Sequence, residues 1–96
     1  MDRYSTQQVE TMLRNYTALL GSSHADVITY KIDLDNGLKK LKHNYPNLYT
    51  ALVGVFISGN PIQEQAKLQE VSKRQTIRRL NDSLYVLTMI MNGDVL

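Results

Sequence analysis

The chain contains no cysteine, and this absence excludes disulfide bonds and thiolate metal sites. Its two histidines, His24 and His43, have no partner at the spacing of metal ligands, so we expect both to be exposed helix residues. No nucleophile stands with a base, no carboxylates cluster, and no glycine-rich loop could hold a phosphate. The sequence therefore predicts neither an enzyme nor a bound metal ion or cofactor.

Long apolar runs are also missing. The longest, residues 51–57, is far too short to span a bilayer, and the polar N-terminus is not typical of a secretory signal. A chain of 96 residues, 43% of them hydrophobic and 21% charged, is typical of a single globular domain. We expect one soluble domain over residues 1–96, located in a reducing cytoplasm.

Positive charge is present, and it is concentrated on one short segment. The whole chain carries a net charge of +2, whereas residues 73–81 alone carry +4. This distribution is typical of a protein that contacts a polyanion through one element. Lys39, Lys40 and Lys42 predict a solvated helix face, with a phosphate contact as the alternative.

Apolar residues recur at helical spacing and predict an all-α fold of about five helices. In the N-terminal part, residues 1–45, two helices are expected. A capping box at Ser5 and Gln8 opens the first, over about residues 6–20, and Gly21 ends it. A second capping box at Ser23 opens the next.

The second helix has two weak points. Tyr30, Ile32 and Leu34 alternate with polar residues, which also fits a strand, but a lone strand would have no partner. The run Asp35-Asn36-Gly37 could break the helix in its middle. Asp33 and Asp35, two apart on a helix, should point away from each other.

Residues 46–92 have the pattern of a helix-turn-helix, with helices over about residues 46–57, 61–69 and 73–91. Asn60 and Ser72 are placed to cap the last two helices, and Pro61 suits a first helical position. Ala66 is small where two helices would cross, and Val71 would fill the turn. The residues expected to face the interior are Ile62, Ala66, Leu68, Ile77, Leu80, Leu84, Leu87 and Met91.

This part of the chain resembles region four of sigma factors and, more closely, the small sigma-like phage regulators of the ArpU type. The resemblance covers residues 34–91 in outline and is carried by Phe56-Ile-Ser-Gly59, Ala66, Val71-Ser72 and Thr76-Ile-Arg-Arg-Leu80. The chain departs from the pattern at Gln69 and Glu70, where leucine and glycine are usual, and at Thr76, one residue late. The resemblance implies a helical DNA-binding protein that controls phage or prophage transcription in the bacterial cytoplasm.

Three sets of residues are expected to contact DNA bases, the DNA backbone and a second copy of the chain. Arginine and glutamine at the start of a helix suit guanine and adenine in the major groove, while small polar and basic groups suit phosphates. The predicted base-reading residues are Arg74, Gln75, Arg78 and Arg79. The predicted DNA-backbone contacts are Ser58, Asn60, Gln63, Ser72 and Lys73. The predicted oligomer interface, most simply that of a dimer, is Tyr85, Val86, Met89 and Ile90.

Two other functions fit the same pattern. The domain could be a protein-interaction module in which the last helix binds RNA polymerase or another phage component without contacting DNA bases. It could also be a DNA packaging protein similar to a small terminase subunit, which would assemble as a ring of many copies.

Overall fold

A computed structural model describes residues 3–16 and 25–94, and within these ranges the chain forms five helices and no strand. The predicted all-α fold is confirmed. The third helix continues directly into a π-helical turn, Val53–Ile57. The helices are α1 (Thr6–Arg14), α2 (Ala25–Asn44), α3 (Pro46–Leu52), α4 (Ile62–Leu68) and α5 (Lys73–Met91).

The start of α1 agrees with the prediction, and its end differs. The Ser5 hydroxyl accepts the Gln8 backbone N–H while the Gln8 side chain accepts the Ser5 N–H, which completes the capping box. The helix ends at Arg14 rather than near residue 20. Asn15 is its C-cap, and the Asn15 carboxamide donates to the Thr11 carbonyl at 2.8 Å. The predicted stop at Gly21 and the predicted cap at Ser23 lie outside the described residues.

Helix α2 is continuous through both of its predicted weak points. Thr29–Leu34 is helical, and the run Asp35-Asn36-Gly37 does not interrupt the helix. Gly37 is buried where α2 meets α5, and a Cβ there would lie 2.9 Å from Cδ1 of Leu87. Gly37 therefore permits a close approach of the two helices instead of causing a break.

One core cluster joins α1, α2, α3 and α5, and α5 contacts all four other helices. Apolar side chains of α1, α2 and α3 pack against Leu84 and Leu87 of α5 in this cluster, so part of the apolar second half of α5 is buried within the chain. The buried members of the cluster are Val9, Leu13, Leu34, Leu38, Leu41, Leu52, Leu84 and Leu87.

Polar contacts fasten the N-terminal segment to the rest of the fold. The backbone N–H of Tyr4 donates to Oδ1 of Asn92 at 2.7 Å, and the Asn92 carboxamide donates back to the Tyr4 carbonyl at 3.0 Å. The Tyr4 hydroxyl donates to Asp33 at 2.6 Å, and the Tyr16 hydroxyl donates to Asp35 at 2.8 Å. Asp33 and Asp35 of α2 thus each accept a hydrogen bond from a different tyrosine.

In the described parts of the chain, none of the helices combines the length and the apolar character needed to cross a membrane.

Candidate nucleic-acid interface

The corner between α3 and α4 is built around Gly59, whose φ of +78° lies in the left-handed region. Helix α4 begins at Ile62 with Pro61 as its N-cap, and Pro61 has an extended ψ of 149°. The predicted cap at Asn60 is therefore wrong. The Asn60 carboxamide instead donates to Oε1 of Gln65 at 3.0 Å.

The inward face of α4 differs from the hydropathy pattern. Ala66 is buried and Ile62 is half-buried, as predicted, but Leu68 is 65% exposed. The buried residue beside Ala66 is Gln65, only 2% exposed. Leu68 was expected inside because it is apolar, yet the phase of the helix set by Gln65 and Ala66 turns it outward.

Hydrogen bonds satisfy the buried carboxamide of Gln65. Its Nε2 donates to the Thr50 carbonyl at 3.2 Å and to the Gln69 side chain at 3.3 Å, while its Oε1 accepts from Asn60. A Cβ at Gly54 would overlap this carboxamide. Gln65 therefore ties α4 to α3 and to the corner, which fixes α4 in place.

The turn between α4 and α5 is tight. Gln69 is the C-cap of α4, and the Val71 N–H donates to the Ala66 carbonyl at 3.0 Å. Glu70 has a φ of +57°, in the left-handed region that glycine adopts at least cost. The predicted cap of α5 is confirmed, since the Ser72 hydroxyl accepts the Gln75 N–H at 3.0 Å.

The inner face of α5 begins with a threonine. Leu80, Leu84 and Leu87 are buried and Met91 is half-buried, in agreement with the prediction. Ile77 was also expected inside, and this is wrong: it is 41% exposed, and Thr76 is fully buried. The Thr76 hydroxyl donates to the Ser72 carbonyl at 3.2 Å, so its burial leaves no polar group unsatisfied.

The predicted base-reading residues face outward from the first turns of α5. Arg74, Gln75 and Arg78 are exposed, and Arg79 is half-buried on the flank. Arg74 and Arg78 are four residues apart and so lie one above the other on the same side of the helix. In the described part of the chain, no ion pair neutralises the arginines or Lys73; the pairs found are Arg3–Asp94, Arg14–Glu10 and Lys31–Asp35.

The predicted DNA-backbone residues are in different situations. Ser72 and Lys73 adjoin Arg74 at the N-terminus of α5, and all three are exposed. Ser58 and Gln63 are exposed at the corner and on α4. Asn60 is half-buried, with its carboxamide engaged by Gln65.

Of the predicted oligomer interface, Tyr85 is the residue that faces solvent, at 60% exposure. Val86 and Ile90 pack against the chain's own core, and Met89 is half-buried. The apolar second half of α5, which suggested a seam between two copies, is thus packed in part against the chain's own core.

Sequence reasoning missed Gln65, Glu70 and Ile77 at this interface. A signal for the first existed in Gly54, since a small residue on one helix indicates close approach of a side chain from another. For Ile77, the signal was the spacing of Thr76 with Leu80, Ser83 and Leu87, which continues the buried stripe by one further turn.

Comparison with protein family models, curated proteins and solved structures finds no match to this chain. The resemblance to sigma region four and to ArpU-type regulators therefore stays a prediction.

Proposed function

We propose that this protein binds double-stranded DNA through α4 and α5, with the N-terminal half of α5 in the major groove. The observation that carries the proposal is the pair Arg74 and Arg78. Both are exposed, one turn apart on one face, and without an acidic partner in the described chain. Arginines in this state are free to form bidentate bonds to guanine.

The rigid setting of α5 supports the proposal. Recognition of base edges requires that a helix be held at a fixed angle to the rest of its domain. The tight turn at Glu70, the Ser72 cap and the buried Gln65 hold the start of α5, while Leu84 and Leu87 anchor its second half in the core. The helix cannot rotate about its axis without breaking these contacts.

The remaining residues divide by position. Gln75 is exposed beside Arg74 and suits adenine, and Arg79 lies at the edge of the same face. Ser72, Lys73, Ser58 and Gln63 suit phosphates, with Ser72 and Lys73 at a helix N-terminus that attracts anions. Asn60 is the weakest of the backbone candidates, because Gln65 already occupies its carboxamide.

We further propose that the DNA binding serves regulation of transcription in a phage or prophage. The sequence resemblance to sigma-like phage regulators supports this role. A dimer would place two α5 helices on paired half-sites about one turn of DNA apart, with Tyr85 as the exposed residue of the seam. A selected DNA site without any repeat would contradict the dimer.

Selection of bound sequences from a random DNA pool, followed by titration at several salt concentrations, tests the proposal. With about four to six phosphate contacts per subunit, the slope of log K against log salt should be about −3.6 to −5.4 for one subunit and twice as steep for a dimer. Arg74→Ala/Arg78→Ala should weaken binding to the selected site at least 30-fold, since each base contact contributes about 1–3 kcal/mol.

Lys39→Ala/Lys40→Ala is the matched control, because it removes two exposed charges from α2 instead of α5. It should leave the affinity within about twofold of the wild type. Equal losses in the two double variants would mean that binding depends on net charge alone, and would contradict the assignment to α5. Thermal unfolding of both variants checks that the fold is intact.

The exposed Leu68 favours a second candidate function, docking of a protein such as RNA polymerase on α4. This function predicts that the wild type retains polymerase, that Leu68→Ala does not, and that no DNA is selected from the pool. These results together would support protein docking in place of DNA binding.

A further inference from the structure

Ile77 is an apolar side chain on the otherwise polar outer face of the first half of α5. It is 41% exposed and takes no part in the core cluster, whereas Leu80, Leu84 and Leu87 of the same helix are buried. A single exposed isoleucine is common on protein surfaces. Its position on this helix is what makes it informative.

Two neighbours of Ile77 on the helix surface, Lys73 and Arg74, are DNA-binding candidates. Residues three and four apart are adjacent on a helix, so Ile77 adjoins Lys73, Arg74 and Asn81. All of these are exposed. The buried position next to it is taken by Thr76, which keeps Ile77 turned outward. A molecule that lies along Lys73 and Arg74 therefore comes within contact distance of Ile77.

We propose that Ile77 contacts the C5-methyl group of a thymine and so sets a sequence preference of the protein. The inference rests on the proposed DNA binding and adds a base and a residue to it. The thymine methyl is the apolar group that the major groove presents among hydrogen-bonding groups, and aliphatic side chains recognise it by contact. An isoleucine surrounded by cationic and amide groups matches that arrangement.

Helix geometry also limits where the thymine lies. Ile77 is three residues beyond Arg74, a rise of about 4.5 Å along the helix axis, and base pairs stack at intervals of about 3.4 Å. The thymine should therefore lie within about two base pairs of the base that Arg74 contacts. Each subunit is expected to read one such thymine.

Replacement of thymine by deoxyuridine, which lacks only the methyl group, tests the proposal. A site selected from the random pool is resynthesised with each thymine changed singly to deoxyuridine. One position per half-site should lose about fourfold in affinity for the wild type, the fold-change expected for one buried methyl-sized group. Ile77→Ala should bind the thymine and deoxyuridine forms equally.

Two control variants isolate the contact. Arg74→Ala should bind more weakly to every form of the site but keep the fourfold preference for thymine. Ile32→Ala removes a more exposed aliphatic side chain that lies on α2, outside the proposed DNA-binding helices, and should change neither affinity nor preference.

The outcomes separate the two proposals. If no DNA is selected, DNA binding fails and the thymine contact fails with it. If DNA is selected but no thymine is sensitive to loss of its methyl group, or the preference survives in Ile77→Ala, the contact fails while DNA binding stands. Ile77 could instead join two copies of the chain, in which case Ile77→Ala would sediment with a smaller mass than the wild type. That result together with an unchanged thymine preference would likewise overturn the contact.

Discussion

The carboxamide of Gln65 occupies the space into which a side chain at residue 54 would project. A Cβ at Gly54 would overlap Oε1 of Gln65 and come within 2.7 Å of its Nε2. Glycine at one helix and a buried glutamine at the other are thus a matched pair. Together they set the distance between α4 and the π-helical turn that continues α3.

Gly54→Ala should therefore lower the free energy of unfolding by about 1–3 kcal/mol, because the methyl group must displace a hydrogen-bonded side chain. This loss should occur although alanine favours a helix over glycine by about 0.5–1 kcal/mol. Urea denaturation measures the change.

The double variant Gly54→Ala/Gln65→Ala identifies the cause. Gln65→Ala alone loses the bonds to Thr50, Asn60 and Gln69. If steric conflict is the cause, the double variant should be more stable than the sum of the single effects predicts. Strict additivity would show that the two residues do not compete for space.

Glu70→Gly should raise the free energy of unfolding, by up to about 1.5 kcal/mol. The left-handed conformation costs a residue other than glycine about 1–2 kcal/mol, and glycine removes this cost. Glycine also loses more conformational entropy on folding, which offsets about 0.5–1 kcal/mol of the stabilisation. Glu70→Gln is the matched control, since it removes the same charge but keeps the left-handed cost. Equal stability changes in the two variants would assign the effect to charge instead of backbone conformation.

Ser72 should separate helix stability from DNA affinity. Ser72→Ala removes the acceptor of the Gln75 N–H and should cost about 1 kcal/mol of stability. Ser72→Asp should keep the cap, because aspartate is an equally good N-cap residue, yet weaken DNA binding by repulsion between its carboxylate and a phosphate. Thermal unfolding and DNA titration measure the two effects.

Ser5→Ala provides the comparison for Ser72. It breaks a similar cap on α1, far along the chain from α5, and should lower stability without a direct effect on DNA affinity. If Ser72→Asp binds DNA as tightly as the wild type, Ser72 does not lie beside a phosphate.

Stability should fall at alkaline pH because two phenols are held in their protonated form. Burial, aided by the bond to Asp33, raises the pKa of Tyr4 above its ordinary value of 10.0. The bond to Asp35, aided by burial, likewise raises the pKa of Tyr16. Above pH 10 the unfolded chain loses these protons first, so the unfolding free energy declines as pH rises, whereas below pH 10 the stabilisation is fully present.

Urea denaturation between pH 9 and pH 11 tests this dependence. Tyr4→Phe/Tyr16→Phe should flatten the decline and also lower stability at neutral pH, by about 1 kcal/mol for each lost bond. Tyr85→Phe, which changes an exposed tyrosine, is the control. A decline of the same steepness in the double variant would contradict the role of these phenols.

The caps at Ser5 and Ser72 are predicted correctly because they depend only on nearby residues, whereas the predicted cap at Asn60 is wrong. Ser72 and Gln75, or Ser5 and Gln8, are three residues apart, and the capping rule needs nothing else. The bounds of α5, residues 73–91, follow from the same information. Gly37 could not be interpreted in this way, since the partner that requires it, Leu87, is fifty residues further along the chain.

The part of the candidate site that depends on local features was predicted correctly. Charge and helix phase place Arg74 and Arg78 outside without knowledge of any partner. Thr76 is buried where the sequence predicts Ile77, because the fit between the helices decides which residue faces the interior. Hydropathy alone favours Ile77, which is the wrong residue of the two. Gln65 is buried only because Gly54, Thr50 and Asn60 together provide it with space and hydrogen bonds, and no short-range pattern contains that combination.

The buried and exposed faces of α5 have separate roles. Its buried stripe holds the helix in the core, while Arg74, Ile77, Arg78 and Asn81 are exposed on the other side. Under the proposed function, substitutions among these four residues should therefore change which DNA is bound while leaving the scaffold unaltered. The same framework could be redirected to new target sites in the laboratory, and could diverge in that way during evolution, by exchange of a few surface residues.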